Sequence, residues 1–329
     1  MSELPGTQVV SRRCHPIRHR LEYLAVLAVR ATVRMLPWSW NMRAGDAMGW
    51  LFYRLDRRRR ATSFANVRAA FPLRSDNECR ATAQGAFMNL GRHVLDLLRF
   101  DAMSVEQMMG FFEFEGEEHV EQARASGLGV MYCGGHFGFW ELQILAHAVR
   151  HEPIIMVART LDNPFIEAMI ERLRTRVGTC VIPRQGAARA LLRGLRSQRS
   201  VAMMIDQHLH ARSAVIVEFF DRPAATTSAV ASLALRTGVS VIPVFALPLP
   251  GGRYRMIYEA PVVLPDPQQP DAVAVLTQRC TDVLEIYVRR YPEHWLWMHR
   301  RWRVADTVDS SQLSSETARP SAGVLETGA

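Results

Sequence analysis

Hydrophobic and polar positions divide the chain into a helical front and an alternating body. Between Leu21 and Pro37, Tyr23, Arg30 and Arg34 share one helical face, while Leu21, Ala25, Ala28, Met35 and Leu36 share the other. That pattern predicts an amphipathic helix. It is too short and too charged to be a clean spanning segment, which needs about 20 apolar residues. A second apolar patch, Met48-Gly-Trp-Leu-Phe-Tyr53, precedes four consecutive arginines, Arg57 to Arg60, a combination that suits anionic lipid. From Ser75 to Met109 the period is helical again, with Phe87, Leu90, Val94, Leu95 and Leu98 forming the stripe.

The body then alternates. Strands are predicted at 129–133, 153–158, 179–182, 201–205, 215–219, 239–245 and 254–258. Helices are predicted at 141–150, 164–176, 187–197, 228–236 and 272–290. The fold class expected is α/β, a mixed or mostly parallel sheet flanked by helices, with a membrane-associated helix at the amino terminus. After Val304 the chain turns to Ser, Thr, Glu and Gly, a composition that reads as disordered. The expected organisation is a flexible tail at 1–17, a membrane-associated helical segment at 18–60, the α/β domain at 61–303 and a second tail at 304–329.

Composition narrows the partners. All 40 basic residues are arginine, and the formal charge of +8 favours anionic ones. Guanidinium groups bind phosphates and carboxylates in bidentate fashion, which suits lipid headgroups or an acidic carrier protein. An arginine-rich genome is the plainer source of the missing lysine. No nucleic-acid module is present to recruit the charge for DNA or RNA. The five cysteines are scattered without C-x-x-C spacing, so neither a disulfide framework nor a zinc site is indicated. Met1 to Arg20 lacks the apolar core of a cleavable signal.

The chemistry gathers in Val130-Met-Tyr-Cys-Gly-Gly-His-Phe-Gly-Phe-Trp-Glu141. An apolar strand runs into glycines that permit a tight loop, and His136 follows at the strand's carboxyl end, where open α/β sheets bind ligands. Glu141 lies on the first turn of the next helix. A His held by a carboxylate is a general-base pair, because the acid fixes the tautomer and stabilises the imidazolium as it forms. No G-x-S-x-G nucleophile elbow accompanies it, so direct activation of a substrate hydroxyl is the simplest chemistry.

The spacing His136-x4-Glu141 inside Gly-Gly-His-Phe-Gly-Phe-Trp-Glu resembles the signature of the bacterial lipid A late acyltransferases, the H-x4-D/E motif of glycerolipid acyltransferases. Further blocks resemble that family in order: Asn66 to Pro72, Arg159 to Pro164, Asp206-Gln207, Phe219-Phe220 with Pro223 to Thr226, and Tyr291 to Trp302. The resemblance spans roughly residues 19 to 303. It implies a His136 base oriented by Glu141 and an acyl thioester donor (acyl-ACP or acyl-CoA). It further implies a phosphorylated glucosamine disaccharide acceptor, a site on the cytoplasmic face of the inner membrane, and no cofactor or metal. It places Arg159, Asn163, Asp206 and Gln207 at the substrate, with Asp206 and Gln207 ordering the Arg159 region. Asp221 stands where the family usually has glycine.

Other readings compete. Asn163 before Pro164 has the form of a helix cap. Asp206-x-His208-x-His210 has strand spacing compatible with metal ligation. Cys133 near His136 offers a Cys–His nucleophile, although cysteines in apolar strands are generally buried and inert. His147 and His151 read as surface histidines. Different acceptors (a lysophospholipid or another glycolipid), a thioesterase, and a non-catalytic lipid-binding protein are the alternatives in function.

Overall fold

The computed structural model describes residues 16–183, 186–209 and 214–302. Four helices lead: α1 (Pro16–Met35), α2 (Trp38–Leu55), α3 (Arg57–Ala70) and α4 (Asp76–Phe100). Ser75 and Glu78 form a reciprocal capping box that starts α4. Gly45 and Gly49 of α2 lie directly on the backbone of α4, where an added Cβ would come within 2.6 Å of Arg92 Cα and 2.2 Å of the Phe87 carbonyl. Small residues at that seam let the two helices pack at close range.

The body follows as α5 (Val105–Met109), β1 (Phe112–Glu115), α6 (Glu117–Ala125), β2 (Met131–Gly134), α7 (Trp140–Arg150), β3 (Ile155–Ala158), α8 (Pro164–Thr175), β4 (Cys180–Pro183), α9 (Ala187–Arg196) and β5 (Val201–Met204). It continues with β6 (Ala214–Glu218), β7 (Pro223–Thr227), α10 (Ala229–Thr237), β8 (Val241–Leu249), β9 (Arg253–Tyr258) and α11 (Ala272–Arg290). A seven-stranded sheet in the order β1-β9-β8-β2-β5-β3-β4 forms the centre. Every pairing in it is parallel except β8 with β9. All four residues of β2 are buried, as expected of a strand covered by helices on both faces. One large apolar cluster joins Met131 and Cys133 to α9, α10 and α11; another joins Val130 and Tyr132 to α7 and β9.

The alternation expected from sequence is therefore present, and its five body helices fall within two residues of their predicted ends. Two strands escaped it. Phe112–Glu115 is a four-residue edge strand in which Phe alternates with Glu, so it lacks the continuous apolar run of its buried neighbours. Pro223–Thr227 is small and begins with proline, and it pairs with β6 in a separate hairpin. At the hairpin turn Phe220 and Asp221 both have positive φ, +57° and +55°. That left-handed geometry explains why glycine would suit position 221. Phe220 is held there by burial among aromatic rings and by its N–H, which donates to Glu285 at 2.6 Å.

The amino-terminal helix differs from its predicted use. Tyr23 stacks on Phe165, Arg30 pairs with Asp101 at 2.8 Å, and Val33 is buried beside Leu95 and Leu98. Tyr23 and Arg30 thus fasten α1 to the body instead of lying at a headgroup level. Leu21, Leu24 and Met35 project outward, joined by Trp40, Trp50, Leu51 and Leu55 of α2. No helix among the described residues is long and apolar enough to cross a membrane.

Candidate active site

The register of two neighbouring strands builds the site. β2 and β5 run parallel with Gly134 opposite Met204. Two residues past each strand end come His136 and Asp206, so both side chains leave the same carboxyl-terminal edge together. Asp206 Oδ1 lies 2.8 Å from His136 Nδ1, and its Oδ2 accepts the His136 backbone N–H at 2.6 Å and the Trp295 indole N–H at 2.9 Å. Three donors converge on one carboxylate that is only 1% exposed.

The loop between β2 and α7 is shaped by backbone contacts on both sides. Gly138 has a φ of +57°, and a Cβ there would meet the Ala246 carbonyl at 1.9 Å. A Cβ on Gly135 would strike Leu284 at 2.9 Å and the Asp206 carboxylate at 3.1 Å. His93 of α4 donates from Nδ1 to the Gly138 carbonyl at 3.1 Å, and its ring packs on Phe139 and Trp140. Burial pushes its pKa down to about 3, so it supports the loop as a neutral group.

The carboxyl-terminal segment closes the site. Gly138 N–H donates to His294, Leu296 N–H donates to His136, and Phe137 bridges to Trp295. Asn66 of α3 donates to the carbonyls of Trp297 and His299 at 2.8 and 2.6 Å. These contacts bring His299 to a ring separation of 5.4 Å from His136. Gln207, next to Asp206, has its amide nitrogen 3.2 Å from His136 Nε2 and 3.4 Å from His299 Nε2. A cleft of about 810 Å³ begins at Gln207 and His299. It continues between Phe52, Leu90, Leu296 and Met298, with Arg58, Arg59 and Arg300 along its sides.

The electrostatics follow from burial and pairing. For His136, burial works against the charged form, but Asp206 and then Glu141 outweigh it and raise the pKa above its usual value. For Asp206, burial favours the neutral acid; the adjacent His136 and the bonds it donates prevail and hold the carboxyl well below its usual range. The pair is an imidazole poised to be protonated against a carboxylate that stays ionised.

Four expectations are revised by this geometry. Glu141 does not hold the imidazole: its carboxylate forms a two-pronged ion pair with Arg174 of α8, at 2.7 and 3.1 Å, so the group that holds Nδ1 is Asp206. Asp206 in turn engages His136 directly and does not order the Arg159 region. Asn163 is the cap of α8, accepting from Phe165 and Ile166, and its amide donates to the His19 carbonyl and Glu22 of α1. Its hydrogen-bonding groups are all engaged inside the protein. His147 is buried at 3% exposure and hydrogen-bonded to the Tyr258 hydroxyl, because that face of α7 turns inward.

Arg159 directly follows β3, two strands from β2 and so roughly 10 Å along the same sheet edge, with its side chain 80% exposed. Of the metal reading, His210 lies outside the described residues. Among the described residues no group of three ligating side chains assembles. Cys133 is buried, and its contact with Cys280 together with that burial pushes the thiol well above its ordinary pKa, which opposes a nucleophilic role.

The family model for bacterial lipid A biosynthesis acyltransferases matches residues 12–304. The chain belongs to that family. It is 27% identical over 291 residues to a lipid A biosynthesis lauroyltransferase of Escherichia coli, covering 88% of this chain and 93% of the relative. A lipid A biosynthesis acyltransferase of Haemophilus influenzae is 26% identical, covering 84% and 88%. A phosphatidylinositol mannoside acyltransferase of Mycobacterium tuberculosis is 27% identical, covering 68% and 72%. The chain described here is thus an acyltransferase of the lipid A biosynthesis family.

Proposed function

We propose that this enzyme transfers a fatty acyl chain from a carrier-protein or coenzyme A thioester to a hydroxyl of a lipid A precursor, with His136 as general base and no acyl-enzyme. The observation that carries the reading is the Asp206–His136 pair, whose Nε2 lies 3.2 Å from the amide of Gln207, a residue of the cleft lining. With Nδ1–H given to Asp206, Nε2 carries a lone pair and can take a hydroxyl proton. The hydroxyl oxygen then bonds to the thioester carbonyl carbon. Collapse of the tetrahedral intermediate breaks the carbon–sulfur bond, and the thiolate leaves and recovers the proton from His136.

The arginines beside the cleft support anionic partners, both an acidic carrier protein and the phosphates of the acceptor. The apolar side chains exposed on α1 and α2 support a peripheral site on the cytoplasmic face of the inner membrane. Arg159, at the same sheet edge, is the candidate for binding a substrate phosphate outside the cleft. The mannoside acyltransferase relative gives a second acceptor class, a glycolipid.

The test is mass spectrometry of lipid A from cells lacking the gene, complemented with wild type or His136→Ala. A species lighter by one acyl chain, restored by wild type alone, supports the whole reading. Unchanged lipid A moves the acceptor to another lipid in the total extract. Full complementation by a folded His136→Ala protein sinks the mechanism.

A further inference from the structure

One amide nitrogen lies between two imidazoles, at 3.2 Å from His136 Nε2 and 3.4 Å from His299 Nε2. A primary amide has two N–H donors, so it can serve both rings at once. The orientation of the amide is fixed by chemistry. His136 donates its Nδ1–H to Asp206, so neutral His136 can only accept at Nε2, and the NH₂ end of Gln207 must face it. His299 accepts on the other side. Burial, followed by the nearby His136 and Arg59, outweighs the pull of Asp206 and lowers its pKa, leaving the ring neutral.

The free enzyme therefore has a problem to solve during turnover. The lone pair that must receive the hydroxyl proton already has a donor on it. An incoming hydroxyl takes the place of the amide, which stays tethered to His299. His299 is itself fixed from behind, its carbonyl accepting from Asn66 at 2.6 Å. Gln207 is exposed and lines the cleft, so a small swing is open to it. The N–H released from His136 is then the side-chain donor beside the atoms that react.

Building on the acyl-transfer reading, we propose that Gln207 is a catalytic donor that covers the base in the free enzyme and moves to the thioester oxyanion in the reaction, while His299 positions it. The hydroxyl oxygen forms the new bond to the carbonyl carbon and its proton passes to His136 Nε2. The carbonyl π pair moves to oxygen, where the Gln207 N–H receives it. That pair returns as the carbon–sulfur bond breaks and the thiolate departs.

The contact and the catalytic role make separate predictions. A donor on Nε2 stabilises the neutral imidazole, so removing it raises the His136 pKa. In Gln207→Leu, NMR titration of His136 in the full chain should move upward by about half a unit or more, with no substrate present. The acid limb of kcat/KM should move with it. Loss of one oxyanion donor should lower kcat about 100-fold at saturating thioester, with KM little changed.

His299→Ala should lower kcat about tenfold by loosening the donor, on the same scale of effects. His299→Asn, whose amide oxygen can accept the same N–H, should recover most of that loss. An unchanged His136 titration in Gln207→Leu overturns the covering contact. Normal kcat in Gln207→Leu, or equal losses in His299→Ala and His299→Asn, overturns the catalytic assignment. Absence of transfer by wild type with every acceptor defeats the acyl-transfer reading instead, and the NMR titration still decides the contact.

Discussion

Replacing Asp206 with Asn leaves shape and volume nearly intact and alters only charge and hydrogen-bonding direction. The consequence can be worked through atom by atom. Oδ2 accepts two N–H groups, from the His136 backbone and Trp295, while Oδ1 accepts one, from the imidazole. Asparagine has a single oxygen. Placing it at Oδ2 keeps two bonds; the opposite orientation sets an NH₂ against two donors. The NH₂ therefore faces Nδ1, and His136 must accept there and carry its proton on Nε2. In that tautomer the base cannot receive a hydroxyl proton. The expected loss is about 10,000-fold in kcat, the scale associated with a wrong imidazole tautomer.

Folding should suffer much less. Losing bonds to a charged acceptor costs about 1.5–3 kcal/mol each, yet removing a buried charge relieves its desolvation, so a net destabilisation of about 1–2 kcal/mol is expected. The pH dependence separates the explanations. In the wild type the raised His136 pKa places the acid limb of activity above about 6.5, and removing the Asp206 charge should move that limb downward. Stability carries a matching signature. The part linked to Asp206 is present above about pH 3.9 and lost as pH falls through its depressed folded value. The part linked to His136 is present below about pH 6.5 and lost as pH rises through its raised folded value. Both dependences should flatten in Asp206→Asn. Steady-state transfer with thermal melts across pH provides the assay. A variant within tenfold of wild type, with its acid limb unmoved, would refute the assignment of Asp206 to His136.

Glu141→Ala should destabilise by about 3 kcal/mol, because it leaves the mostly buried Arg174 guanidinium unpaired, and Glu141→Ala/Arg174→Ala should lose less than the single variant. Chemical denaturation of the three proteins checks this, and an additive double variant would remove the ion pair from the account. Asn163→Ala should cost about 1 kcal/mol through the lost cap of α8 and should loosen α1. Hydrogen exchange in α1 and kcat measured together test that role: a kcat loss with unchanged exchange would return Asn163 to the substrate.

The α/β alternation was legible because most body strands are apolar runs and the longer helices show their period, with Gly, Pro or charge at the boundaries. His136 was legible for the same reason: a buried strand, two glycines and a helix start leave little choice about where it lies. Its partner was not. A carboxylate five residues away on the following helix is near in sequence, but one turn of α7 carries Glu141 toward α8, where Arg174 meets it. Asp206 is seventy residues distant and becomes adjacent only through the parallel pairing of β2 with β5. A signal did exist, since both strands are followed at the same offset by a residue able to share a proton. Reading it required knowing that the two strands are neighbours, although two other strands, β3 and β4, lie between them in sequence.

The same limit applies to Asn66, His93, Trp295 and His299, each placed by contacts between elements far apart in the chain. These residues also show what the site asks of the fold. His136 is set by strand register, Asp206 is fixed by three donors, and the loop that carries His136 is braced by α4 on one side and the carboxyl-terminal segment on the other. The base is rigid where the proton is taken. Gln207 is the exposed side chain against His136 Nε2, and under the proposal above it is the group that moves when the acceptor hydroxyl enters.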